Sequence, residues 1–278
     1  MKQITMVTLK EVLRKRIILL IGAGTILFLI IYGVILRISY NTLQDGKLFM
    51  KSAVYISALG LYFSNMITAF MAILSSVGAV SSEIESGILH SVITRPLKRY
   101  EYIIGKYLGL AIMLTAYSVI LYLSVFLLSM LLNAPSVQDI DLTKIFRGML
   151  LFLLQPLILL TLCIYGSVSF KTLNNGIFAI FIYILGLLGG VLEQVGVMFD
   201  NGLLNQWGIL ISLISPFDVI YRKMVSVLYG SIGLTNPVMP GASLMPSTLP
   251  SSWMLVYIII YAFLLLLFAV KKFNRKNI

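Results

Sequence analysis

The sequence predicts an all-α membrane protein, a bundle of six transmembrane helices, and three observations carry that prediction. The 278 residues are 59% hydrophobic with a mean hydropathy of +1.00. Only 11% are charged, where a water-soluble domain keeps about a quarter. The apolar residues also gather into runs of the roughly 20 residues that a helix needs to cross a hydrocarbon core of about 30 Å. No stretch between these runs is long enough for a separate soluble domain, so residues 1–278 read as one transmembrane domain.

The chain opens on a polar and apolar prelude, residues 2–16. Met6, Leu9, Leu13 and Ile17 fall on one helical stripe, with Lys10, Glu11, Arg14 and Lys15 largely off it. That pattern predicts an amphipathic helix lying on the membrane surface, facing membrane lipid. The apolar run that follows has the length of a span and no small-residue cleavage site, so it does not read as a signal peptide. Spans are expected at 17–36, 53–80, 108–132, 148–168, 176–198 and 253–270. Residues 203–221 hold a short apolar run closed by Pro216, which suits an interfacial or re-entrant segment better than a seventh span.

Charge orients the bundle. With six spans and both termini inside, 14 of the 21 Lys and Arg residues lie inside, as the positive-inside rule requires. Arg222 and Lys223 fit that layout poorly. The net charge of +11 is therefore assigned to helix ends and anionic headgroups rather than to nucleic acid. Residues 199–252 form a long outer segment in which Pro237, Pro240, Pro246 and Pro250 forbid a continuous helix. The lone Cys163 sits in an apolar run and can form neither an intrachain disulfide nor a thiolate cluster.

The informative stretch is 78–109, between the second and third spans. Ser82 and Glu85 have capping-box spacing, and Glu83 and Glu85 would sit in a first turn, where the helix dipole favours carboxylates. A short helix is expected through Ile84, Ile88, Leu89 and Val92, stopped at Pro96 because Arg95 precedes a proline. Tyr100–Tyr107 then leads into the third span. This arrangement lays a short helix across one membrane face.

These residues resemble the signature region of ABC-2 type transporter permeases. Glu83, Gly87, Leu89, Arg95, Pro96, Arg99, Tyr102, Gly105 and Lys106 stand at matching places; Ile88, His90 and Leu97-Lys98 depart from the usual pattern. Ser215-Pro216-Phe217-Asp218 with Tyr221-Arg222 matches a recurring family feature more weakly. The six-span layout and the length near 280 are similar to stand-alone permeases, including the copper-site maturation type known as NosY. The resemblance implies a prokaryotic plasma-membrane exporter with both termini cytoplasmic. Two permease chains, identical or paralogous, would form its pathway, and cytoplasmic ABC ATPase subunits would dock beneath. It also implies that Glu83–Thr94 is the coupling helix, with Glu83, Glu85, Gly87, Leu89, His90, Arg95, Pro96, Arg99, Gly105 and Lys106 serving contact with the ATPase. No Gly-x-x-x-x-Gly-Lys-Ser/Thr occurs: Gly105-Lys106 is followed by Tyr107. ATP and Mg would thus be bound by the partner, with no cofactor on this chain.

Within the spans, Glu193 is the one acid. It lies 17 residues after Gly176, roughly 25 Å up the helix, which leaves it either at the outer boundary or in a pathway or gate. Ser64, Asn65 and Thr68, with Ser57, Ser75 and Ser76, either line a pathway or bond between helices. Gly186, Gly189, Gly190 and Gly196, and Gly105 with Gly109, make small-residue faces for close helix approach. Gln155-Pro156 predicts a kink. His90, the only histidine, has no partner at metal-ligand spacing. Catalytic motifs are absent, so the chain reads as a transport subunit and not an enzyme. Two other classes fit the composition: an ion-gradient-driven transporter or channel, and a non-transporting scaffold or sensor.

Overall fold

The computed structural model describes residues 2–42, 46–88, 99–132, 140–230 and 251–275. Its regular structure among these is helical throughout: α1 Lys2–Leu13, α2 Arg16–Thr42, α3 Gly46–Ser76, α4 Ser81–Glu85, α5 Arg99–Leu131, α6 Leu142–Ser169, α7 Thr172–Met198, α8 Gly202–Ile214, α9 Phe217–Tyr229 and α10 Ser252–Asn274. Six of the described helices are long and apolar enough to cross a membrane: α2, α3, α5, α6, α7 and α10. They overlap the six expected spans and mostly start a few residues earlier, while α3 stops at Ser76, short of the expected end at 80. The third span gains most, because α5 continues unbroken from Arg99 through the Tyr100–Tyr107 approach.

Burial grades the spans. In their most apolar windows, 67% of α6 and 61% of α3 is buried within the chain, against 11% of α2 and of α10. α6 is the hub, and Pro156 lies within it without ending it. Such large exposed apolar faces on α2 and α10 suit lipid, which is as apolar as leucine.

Contacts fix the ends of the bundle. Lys106 at the start of α5 reaches Glu11 of α1 at 3.3 Å. Arg99 donates to the carbonyl of Asn274 at 3.5 Å, and the Tyr102 and Phe273 rings stack at 5.6 Å. Both ends of the described chain therefore lie at one end of the bundle, with α4 beside them. Since α7 leaves that end, α8 begins at the far end, and Tyr229 at the close of α9 packs there in one cluster with Leu36 of α2 and Val54 of α3. α8 and α9 meet at a bend of 101° around Ser215 and Pro216. The pair is therefore a re-entrant hairpin, and 203–221 is not a seventh span.

The hairpin has its own logic. A helix ending in hydrocarbon leaves carbonyls without partners. Here Tyr257 donates to the Leu213 carbonyl at 2.6 Å and Tyr261 to that of Ile214 at 3.2 Å. Ser215 Oγ donates to the Ile182 carbonyl at 2.6 Å, anchoring the bend to α7. The glycines of α7 allow the approach. A Cβ on Gly189 would stand 2.7 Å from Ile211, one on Gly196 2.5 Å from the Asn205 nitrogen, and one on Gly208 of α8 2.5 Å from the Glu193 nitrogen. The predicted small-residue face thus serves packing inside the subunit. Pro237, Pro240, Pro246 and Pro250 lie outside the described residues.

The N-terminal helix docks through a face that its apolar stripe does not mark. Thr8 and Val12 are buried at 2% and 3% exposure, whereas Met6 and Leu13 are 52% and 56% exposed. The stripe of Met6, Leu13 and Ile17 points away from the bundle because Gly109 offers a notch on α5. A Cβ there would lie 2.8 Å from the Thr5 carbonyl oxygen and 2.9 Å from Thr8, so the small threonine face docks and the larger residues turn outward.

Candidate functional site

The first candidate site lies at the termini end, around α4. Chain geometry here is set by side chains from three spans. The backbone nitrogens of Val80 and Ser81 donate to Ser167 Oγ of α6 at 2.9 and 2.8 Å. The expected capping box does not form. The N-cap is Val80, and Ser82, already inside the helix, donates to the Gly78 carbonyl instead. The orphan N–H groups are met from another helix, and both glutamates are released for contacts elsewhere.

Glu83 turns to α5. It pairs with Lys106 Nζ, and its second oxygen accepts from the Tyr102 hydroxyl. Lys106 is only 6% exposed and also holds Glu11 of α1 at 3.3 Å. One buried cation thus joins the interfacial helix, the third span and α4. An ammonium so enclosed is tolerable only because two carboxylates neutralise it, and removing either side leaves a buried charge unpaired. Tyr102 and Lys106 are neighbours at i and i+4, and the ammonium lies 5.9 Å from the ring.

Glu85 turns to α7. Its carboxylate accepts from the Thr172 backbone nitrogen at 2.7 Å and from the Thr172 hydroxyl at 3.3 Å. Thr172 is the first residue of α7, so Glu85 acts as an N-terminal cap supplied from another element, at the end where the dipole favours a carboxylate. Asn175 on the same helix donates to the carbonyls of Val77 and Cys163, at 2.7 and 2.9 Å. The two glutamates of α4 therefore hold the third and fifth spans respectively.

Gly87 takes a φ of +73°, a left-handed conformation that ends α4. The continuous helix expected from Glu83 to Thr94 is broken there. Leu89, His90, Arg95 and Pro96 lie outside the described residues. Arg99 and Gly105 are on α5, with Gly105 buried.

The second candidate site lies at the far end. Glu193 of α7, near the helix end, is 14% exposed. It pairs with Arg222 Nη2 at 2.6 Å, and Arg222 Nε lies 2.8 Å from Asp218 Oδ2. The Arg222 side chain is 2% exposed. This explains why Arg222 sat badly in a charge count, since its charge is spent on two carboxylates within the fold. Gly190 makes the site possible, because a Cβ there would lie 1.8 Å from Asp218 Oδ2. The neighbouring Tyr221 is buried and donates to the Ala58 carbonyl at 3.0 Å, tying the hairpin to α3.

Ser64, Asn65 and Thr68 are buried inside the subunit. Ser64 donates to the Gly60 carbonyl at 2.7 Å and Thr68 to that of Asn65 at 2.8 Å. These hydroxyls bond back to their own helix rather than across to another. Asn65 Oδ1 is buried without a hydrogen-bond partner among the described residues.

Sequence reasoning placed Glu83, Glu85 and Lys106 together but missed Glu11, Ser167 and Thr172. Glu11 carried a signal: it is the one acid of the prelude, amid five cations. The pairing of Asp218 with Arg222 was also missed, although their i, i+4 spacing is that of a helical ion pair. No cluster of three or more His, Cys, Asp or Glu suited to a metal occurs among the described residues.

Comparison with curated proteins returns no match. A family model described as ABC-2 family transporter protein matches residues 6–278, nearly the whole chain, with α4, the six long helices and the hairpin inside the match. This multi-pass membrane protein belongs to the ABC-2 transporter family, as a permease.

Proposed function

We infer that the chain is the pathway-forming subunit of an ATP-driven exporter, docked at its α4 end by a separate ATPase that binds ATP and Mg. The observation that carries this reading is the double attachment of α4. Glu83 grips the third span through Lys106 and Tyr102, and Glu85 grips the fifth through Thr172. A push on so short an element passes directly to two spans. Ser82, Glu85, Ser86, Gly87 and Ile88 remain exposed, leaving a surface for the ATPase.

The fifth span extends the route. Its first turn is held by Glu85, its glycine face carries the hairpin, and its last turns hold Arg222 through Glu193. Displacement at α4 would thus reach the far end as a tilt of α7 and α8–α9 together. In this reading Glu193 acts in a gate through the ion triad. Ser64, Asn65 and Thr68, sealed within one subunit, would meet the pathway only when the bundle opens.

A second permease chain completes the pathway. The α4 end faces the cytoplasm of a prokaryotic cell, where the ATPase would be found. The test is affinity purification of the full chain with its neighbouring gene products, followed by reconstitution. Co-purification of an ATPase and ATP-dependent efflux, with efflux lost but hydrolysis kept in Glu85→Ala, supports the reading. A chain that elutes alone and moves solute on an ion gradient refutes it.

A further inference from the structure

We propose that the outward face of α1 binds anionic phospholipid and that this occupancy is relayed to α4 through Glu11 and Lys106. The face consists of Gln3, Met6, Val7, Lys10, Leu13 and Arg14, all exposed and all on one side of the helix. It mixes apolar side chains that can enter the headgroup boundary with cations that meet phosphate, the pattern of an interfacial helix. The cations Lys10 and Arg14 make no ion pair among the described residues.

The charge arrangement selects the occupant. Residues 2–16 hold five cations and a single acid. That acid, Glu11, is turned away from the outward face onto Lys106 at 3.3 Å and Lys15 at 3.6 Å. The face left to the membrane therefore carries basic and apolar side chains with Gln3, and no acid. Anionic headgroups complement it, and zwitterionic ones do so only through the apolar part.

The relay rests on Lys106. Its one ammonium serves Glu11 and Glu83 at once, and α1 is seated on α5 with Thr5 and Thr8 against Gly109. Movement of α1 toward or away from the bilayer changes how Lys106 is shared, and so how firmly Glu83 is held. Lipid control of the ATPase itself would rest on the coupling reading above. The relay to α4 does not, and it can be measured without any ATPase.

The test is hydrogen exchange of the full chain in phosphatidylcholine nanodiscs, with and without phosphatidylglycerol. Amides 3–14 and amides 82–86 are expected to exchange more slowly in the anionic discs. Each cation contributes roughly a factor of five in affinity for an anionic surface, so Lys10→Gln with Arg14→Gln weakens the effect roughly 25-fold. High salt does the same to the unaltered chain, without any substitution. Glu11→Gln keeps the response of α1 and loses that of α4. Equal exchange in both lipids overturns the proposal, and so does a response in α1 that Glu11→Gln leaves intact in α4. Protection that appears in both lipids only when an ATPase subunit is added assigns the face to protein and also overturns it. Failure of any ATPase to co-purify would count against the exporter reading alone.

Discussion

At the scale of single residues, the fold depends on charges that have left water and on positions where a side chain has no room. Lys106→Met leaves Glu83 facing a buried site without its cation. Loss of one partner of a buried pair costs about 3–5 kcal/mol, so thermal unfolding in detergent should show a clear drop. Combining it with Glu83→Gln should recover part of that loss, because the stranded charge is gone. Gly190→Ala drives a methyl into the Asp218 carboxylate and should cost about 1–3 kcal/mol. Gly22→Ala is the control. Nothing lies within 4 Å of a Cβ there, and replacing a helical glycine should be neutral or favourable by up to about 1 kcal/mol.

At the scale of elements, the spans, α4 and the hairpin follow different rules. The six spans were legible because apolar length alone defines them, and their layout survived intact. The short elements were misread where a partner far along the chain decided the outcome. Ser82 lost its capping role because Ser167, from another span, supplies the bonds. The helix through Val92 is broken at Gly87 because that glycine takes a left-handed conformation that periodicity does not register. The apolar stripe of α1 is legible in its periodicity, but the threonine face that docks the helix is not, since the notch at Gly109 is visible only in three dimensions. The hairpin offers a direct check. Tyr257→Phe and Tyr261→Phe each leave a carbonyl in hydrocarbon unpartnered. Membrane hydrogen bonds average about 0.6 kcal/mol, with an upper range near 2, so the double variant should lower stability by roughly 1–3 kcal/mol. Its hydrogen exchange should rise in α8 while α6 stays protected.

At the scale of the whole molecule, the subunit has one end that gathers its short polar elements and another that carries a re-entrant hairpin, with the fifth span touching both. Membership of the ABC-2 family accounts for the general plan. The sequence already held the residues of α4, yet not the reason for them: Glu83 and Glu85 look alike in a first turn, and only the fold assigns one to Lys106 and the other to Thr172. In the proposed mechanism force enters the subunit at α4. Cysteine cross-linking in the purified complex tests this most directly, with Ser86→Cys in α4 and Trp253→Cys at the far end on the otherwise Cys163→Ser chain. A covalent adduct is expected between position 86 and the ATPase subunit, responsive to ATP, and none from position 253. An adduct from position 253, or a complex in which position 86 stays freely reactive while ATP-dependent efflux proceeds, would contradict it.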